Sequence, residues 1–280
     1  MNTVQNDPKS GFAGIGKARI YYETAGDGQP FVMIHAGVAD SRQWNNEFVH
    51  FSSRYRVLRY DMRTYGKSEP AEGEYSNLTD LLALLDHLEL HEPLILMGCS
   101  MGGGLALDFT LAQPERVKAL IMVGSGPSDL SLDVPDPDKL QDAEKAYLSG
   151  DLDLAAELET RVWFDGMGRA PEQVNQGMRK LAYEMDRLAL EHDAKKLGKR
   201  LPDAQVSAVE RLGEITIPML VIVGEHDLPY LHAAADYMHA KIPSVHKEII
   251  PDAAHLTNMD HPRVFQHILD KFLMTQVREP

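Results

Sequence analysis

The chain is short of several things that would otherwise define it. One cysteine in 280 residues, Cys99, rules out an internal disulfide and any cysteine-based metal cluster. No apolar run approaches the roughly 20 residues that cross a bilayer. Met1 to Ser10 is polar and lacks the apolar segment of a secretory signal. Positive charge is scarce: 28 Lys and Arg stand against 42 Asp and Glu, a formal net charge of -14, which disfavours a polyanionic partner such as nucleic acid. Internal repeats and low-complexity tracts are missing too. The expectation is a cytoplasmic protein whose partners include neither nucleic acid nor membrane.

What is present is a chain long enough, and at 44% hydrophobic apolar enough, for a sizeable core. After a loose start from Met1 to Gly11, Phe12 to Ile15 and Ala18 to Thr24 read as strands turned at Gly16-Lys17. Phe31 to Ile34 and Tyr55 to Tyr60 are further apolar strands. Between them lies a helix carrying Trp44, Phe48 and Phe51, which Ser41 can cap; Trp44 reads as structural. Asn77 to Leu90 has amphipathic helical spacing and is stopped by Pro93. A short apolar strand begins at Leu94, and Val117 to Val123 is a further strand, with a helix between them. Beyond Pro127 the texture becomes acidic and helical. Asp129, Asp133, Asp136, Asp138, Asp142, Glu144, Asp151, Asp153, Glu157 and Glu159 crowd it, and Leu152 to Val162 and Val174 to Leu190 have helical spacing. Strand rhythm returns at Met219 to Val223 and His246 to Ile250. A last helix spans about Pro262 to Gln276, with Asp260 as its cap.

Strands alternating with helices mean an α/β fold: a mainly parallel, doubly wound sheet covered on both faces. The acidic block is then an insertion, dividing the chain into core 1–127, helical cap 128–213 and core 214–280. Such an insertion would lie over the carboxyl ends of the strands, where open α/β sheets form their sites.

The chemistry centres on Gly98-x-Ser100-x-Gly102 between the Leu94 strand and its helix. Small residues two positions either side of the serine let the backbone reverse sharply and present the hydroxyl at the strand's carboxyl end. A free hydroxyl is a poor nucleophile near neutral pH and needs a base. Of the twelve histidines, His255 lies in the loop after the last strand. The base needs a carboxylate to hold its tautomer. Asp227, deeper in the loop after Met219 to Val223, is preferred to Glu225. The developing oxyanion needs preorganised N–H donors. Met101 at the helix start supplies one, and Gly37 the other, with Ala36 as the alternate.

These motifs resemble the α/β-hydrolase superfamily, specifically its small capped serine esterases and enol-lactonase-type members. The resemblance rests on His35-Ala36-Gly37, Asp61-x-Arg63-x-x-Gly66-x-Ser68, the Ser100 turn, Gly224-x-x-Asp227 and Ala254-His255, and on the chain order Ser, Asp, His. It implies an inserted cap and an acyl-enzyme route without a cofactor or metal, acting on a small-molecule ester or lactone. The same triad also serves carbon–carbon bond hydrolysis, aminopeptidase and perhydrolase chemistry, and the scaffold also serves ligand sensing with little turnover. Two departures from the pattern stand out. His-Ala-Gly replaces the more frequent His-Gly, and Thr64 replaces a frequent glycine, which is expected to affect only a turn. The segment Trp163 to Arg169 also resembles one seen in this subgroup, with Trp163 expected in the cap core.

Other motifs fall short. Gly66-Lys67-Ser68 would need a glycine at Asp61 to be a phosphate loop, and the glycines at 98, 102, 103 and 104 miss the G-x-G-x-x-G spacing. His87 and His91, one helical turn apart, have no glutamate to complete a zinc-peptidase pattern and read as a solvated face. Cys99 reads as a small buried residue beneath the turn rather than a redox sensor.

Overall fold

The computed structural model describes residues 8–203 and 206–277. Among the described residues ten strands are formed: β1 Lys9–Ile15, β2 Ala18–Ala25, β3 Pro30–Ile34, β4 Arg56–Tyr60, β5 Glu74–Tyr75, β6 Leu94–Cys99, β7 Val117–Val123, β8 Lys199–Arg200, β9 Met219–Gly224 and β10 Val245–Ile250. Eight of them make one sheet in the order β1-β2-β4-β3-β6-β7-β9-β10, while β5 and β8 pair separately. β1 and β2 are antiparallel to each other, β2 is antiparallel to β4, and all the other pairs in the large sheet are parallel.

The expected doubly wound sheet is thus present, and its logic is visible residue by residue. β3, β6 and β9 are buried at every position, as strands covered on both faces must be. Alternate residues feed two cores. Val32, Ile34, Leu94 and Leu96 pack with Leu81, Leu84 and Leu107 on one face. Phe31, Met33, Ile95 and Met97 pack with Phe48, Phe51, Phe265 and Phe272 on the other.

From β3 the chain steps outward to β4, then crosses back to place β6 on β3's opposite side. The winding therefore reverses between β3 and β6, which opens a crevice at their carboxyl ends. Register aligns those ends. Ile34 lies opposite Gly98, Cys99 opposite Val123, and Ile250 opposite Gly224. The loops that begin at His35, Ser100, Gly124, Glu225 and Pro251 consequently share one edge of the sheet.

Between β7 and β9 run three longer helices, Asp138–Ser149, Leu152–Thr160 and Gln176–Ala194. Ala143, Ala146, Ala155, Ala156, Ala182 and Ala189 are buried along them, small residues that let neighbouring helices approach closely. A short β8 tethers this stretch to the core by pairing with β5. Among the described residues no helix is long and apolar enough to cross a membrane.

Several local expectations need correction. Met1 to Asp7 lie outside the described residues, but Lys9 to Gly11 belong to β1, paired with Tyr22 to Thr24. Ser41 is not a cap: it sits inside a 3-10 turn whose cap is Asp40, the carboxylate accepting the Arg42 N–H at 2.9 Å. The Asn77 helix ends at His87, because Glu89 takes the left-handed conformation (φ 53°) and turns the chain out before Leu90. The last helix does span Pro262–Gln276, yet His261 occupies its cap position. Asp260 is drawn away by stronger partners, accepting from Arg169 Nη2 at 2.6 Å and from the Ala254 N–H at 3.0 Å.

Candidate active site

Ser100 begins the helix Met101–Ala112 from a left-handed backbone, φ 51° and ψ -117°. A side chain other than hydrogen on either flanking glycine would forbid this turn. A Cβ on Gly98 would stand 2.0 Å from the Gly102 carbonyl oxygen, and one on Gly102 would stand 2.4 Å from that of His35. The backbone is clamped as well. The Ser100 N–H donates to Val123 O at 2.9 Å, and its carbonyl accepts from the Gly103 and Gly104 N–H groups and from Ser125 Oγ at 2.7 Å. A serine held at positive φ in a strand-to-helix turn is held strain, the kind that presents a side chain for use.

His255 and Asp227 meet as the order of the chain implied. Both are buried, and His255 Nδ1 lies 3.0 and 3.1 Å from the two carboxylate oxygens. The Leu228 N–H adds a further hydrogen bond to Asp227 Oδ1 at 2.8 Å. A carboxylate against Nδ1 requires the proton there, which leaves Nε2 as a lone-pair acceptor. Glu225 is turned elsewhere, accepting the Asp252 N–H at 2.9 Å, and His226 Nδ1 contacts Met167 O at 3.0 Å. The pair abuts the serine's neighbours. Cys99 Sγ lies 3.9 Å from His255 O, and a Cβ on Gly124 would come within 2.8 Å of His255 Nδ1. No hydrogen bond joins Ser100 Oγ to His255 among the described residues. Such contacts commonly tighten only when substrate is bound.

In the loop after β3 the two candidate N–H groups have different partners. The Ala36 N–H is already spent on Gln43 Oε1 at 2.9 Å, so it is not free for a ligand. Gly37 runs alongside Met101: a Cβ there would touch Met101 Cβ at 3.7 Å. The Met101 N–H opens its helix, where no intrahelical acceptor exists. His35 braces the loop from behind. Its Nε2 accepts the Met62 N–H at 2.9 Å while Nδ1 donates to Ala36 O at 2.7 Å, and burial lowers its pKa, so it stays neutral.

The Asp61-to-Ser68 motif is structural. Asp61 accepts from the Ser41 and Lys67 N–H groups, Arg63 forks onto Asp80 at 2.7 and 2.9 Å, and Ser68 links Asp61 O to the Tyr21 N–H. Thr64 in place of glycine takes φ 76° and also lines a cavity, so its effect is not confined to the turn. Cys99 is fully buried, and burial pushes its thiol up to about 12, which suits the inert role expected of it. His87 sits exposed at a helix end, and among the described residues no group of three or more His, Cys, Asp or Glu side chains is placed to hold a metal ion.

Trp163 is half-buried, packed against Val162, Leu228 and Leu231 where the inserted helices meet the core. Its ring also packs on the His255 imidazole, centroids 4.6 Å apart and planes at 47°. A π turn, Arg161–Asp165, re-aims it. Arg169 then ties the same segment to the His255 loop through Phe164 O, Asp252 O and the Asp260 carboxylate. Two cavities adjoin the site. One of about 230 Å³ is lined by Ser100, Met101, Gly124, Ser125, Arg200 and Tyr230. The other, of about 330 Å³, opens beside Gly37.

A polar relay behind the loop carries a stability prediction. Gln43 Nε2 donates to Asn258 Oδ1 at 3.3 Å, and Asn258 Nδ2 donates to Glu47 Oε2 at 2.8 Å. Burial pushes the Glu47 carboxyl up to about 7 from an ordinary 4.5. A folded pKa above the unfolded one means the folded state binds more protons between those values. Stability should therefore fall as pH rises from about 4.5 through 7, by on the order of 3 kcal/mol. Urea unfolding at pH 5 and pH 8 should show this slope, and Glu47→Gln should flatten it. An unchanged slope in the variant would place the titration elsewhere.

Comparison with known proteins gives the family. A family model described as alpha/beta hydrolase fold matches residues 29–262. The 2-hydroxy-6-oxononadienedioate/2-hydroxy-6-oxononatrienedioate hydrolase of Cupriavidus pinatubonensis is 28% identical over 265 residues, covering 91% of this chain and 90% of its own. The pimeloyl-[acyl-carrier protein] methyl ester esterase of Aeromonas hydrophila is 28% identical over 256 residues, covering 90% and 98%. Among solved structures, the enol-lactonase from Burkholderia xenovorans LB400 shares the fold with a TM-score of 0.76 and 20% identity, covering 94% of this chain and 100% of its own.

Proposed function

The chain belongs to the alpha/beta hydrolase family, and from that premise we propose that it is a serine hydrolase cleaving a small carboxylic ester or lactone through an acyl-enzyme. The observation that carries this reading is the buried His255–Asp227 pair set against the strained Ser100 turn. In this mechanism Ser100 Oγ attacks the substrate carbonyl as His255 Nε2 takes its proton. Asp227 keeps the Nδ1–H tautomer and stabilises the imidazolium. The N–H groups of Gly37 and Met101 receive the oxyanion. His255 returns the proton to the departing alkoxide, and a water activated by the same nitrogen then releases the acid. The route needs no cofactor.

A hydrolase that cleaves esters or lactones must turn over, and its nucleophile must be labelled. Short p-nitrophenyl esters and a lactone series should be hydrolysed over many cycles, and a fluorophosphonate should modify Ser100 alone, read by peptide mass. A single stoichiometric burst without turnover would instead support a sensing scaffold. A label on another serine would overturn the assignment.

A further inference from the structure

The cavity beside Gly37 is walled on its core side by Thr64 and Tyr65 and on its helical side by Glu159, Asp186, Asp193 and the exposed Glu144. Its acids are not equivalent. Asp193 stands at the exposed rim and is already paired with Lys196 at 2.8 Å. Asp186 is 3% exposed, and its Oδ2 receives no donor hydrogen bond. Among the ion pairs of the described residues none involves Asp186 or Glu159, although neighbouring acids are served: Arg179 takes Glu157 and Asp165, and Arg187 takes Asp153.

Two adjoining carboxyls sunk in a cavity without a cation are costly to maintain. Burial and the proximity of Glu159 push Asp186 well above the usual carboxylate range, and burial raises Glu159 also. A cationic group donating hydrogen bonds to both acids would relieve the arrangement. Leu140 and Leu190 supply apolar wall beside them, and the Tyr65 and Tyr147 rings line the same space. Acids at the base with apolar and aromatic walls suit an alkylammonium, not a metal ion, which would need more oxygen ligands.

We propose that this cavity receives an ammonium group carried by the substrate, with Glu159 and Asp186 as its recognition pair. The assignment deepens the hydrolase reading and rests on it, because it takes Gly37 as the point where the cavity meets the oxyanion position. The substrate is accordingly an amine-bearing ester or lactone. Its carbonyl lies at Ser100 and its cationic end reaches past Gly37 into the inserted helices.

The experiment uses the full chain with two esters of equal length, p-nitrophenyl hexanoate and p-nitrophenyl 6-aminohexanoate. The amino ester is expected to have the higher kcat/KM, by roughly 10- to 100-fold for hydrogen bonds to a charged group. Asp186→Asn and Glu159→Gln should each cut that ratio by about tenfold or more. If Asp186→Asn fails to fold, Glu159→Gln reads the same ratio. Calorimetry on the Ser100→Ala protein separates this proposal from the hydrolase reading. Hexylammonium should bind and hexanoate should not, whatever the fate of catalysis. A ratio at or below one together with no hexylammonium binding overturns the proposal, as does binding that neither acid substitution weakens. Loss of all ester turnover with hexylammonium binding intact would fell the hydrolase reading and leave the cation site standing.

Discussion

Ser100→Ala is expected to lower kcat/KM for a short p-nitrophenyl ester by at least ~10⁴-fold and to leave the fold intact. The two halves of that expectation come from different atoms. Every hydrogen bond that fixes the turn uses the Ser100 backbone: its N–H to Val123, and its carbonyl to Gly103, Gly104 and Ser125. Alanine keeps all of them and meets the same left-handed φ that serine already tolerates. Catalysis, by contrast, loses its nucleophile. What survives is the background that oxyanion donors and binding alone provide. Ser125 is the natural rival, since it lines the same cavity, but its hydroxyl is committed to the Ser100 carbonyl at 2.7 Å. Thermal melting within a few degrees of wild type, with ester turnover near background, is the expected result. Turnover retained in Ser100→Ala and lost in Ser125→Ala would transfer the role.

The reach of sequence reasoning here follows from where each interaction is decided. Ser100, Asp227 and His255 stand at the carboxyl ends of β6, β9 and β10, and strand ends can be found from apolar runs and the glycines that follow. The parallel sheet and the helical stretch between β7 and β9 are legible for the same reason. The oxyanion donor is different. Ala36 and Gly37 are neighbours of similar size, and what separates them is Gln43 reaching back to occupy one N–H. No local pattern announces that contact. Trp163 packs on cap and core residues and also meets the His255 ring, a contact set through the π turn Arg161–Asp165 that no sequence spacing announces. Asp186 did leave a trace. It lies with Ala182, Met185 and Ala189 on the buried stripe of its helix, and an acid at an apolar-stripe position asks for an explanation. The longer run of acids further upstream has no such role. From Asp129 to Asp153 those residues are exposed, a solvated face of the ordinary kind.

Asp227→Asn should be nearly as damaging as removing His255 itself, with kcat lower by roughly 10³- to 10⁴-fold and KM changed little. The argument is about tautomers. Asp227 offers two acceptor oxygens to Nδ1, and the Leu228 N–H takes a share of only one. An asparagine that keeps its oxygen toward Leu228 turns its NH₂ toward the imidazole. That favours the tautomer with the proton on Nε2, where it cannot accept from Ser100. The substitution is almost isosteric in a buried position, so folding should change little and the loss should appear in kcat. His255→Ala provides the reference, with a loss of several orders of magnitude. Glu225→Gln and His226→Ala are the discriminating partners. The Glu225 carboxylate serves the Asp252 N–H, and His226 Nδ1 faces the Met167 carbonyl. Among the contacts of the described residues neither touches the His255 ring, and each substitution should cost no more than a few-fold in kcat. A greater loss from Glu225→Gln than from Asp227→Asn would reassign the acid. Equal damage from His226→Ala, with His255→Ala harmless, would reassign the base.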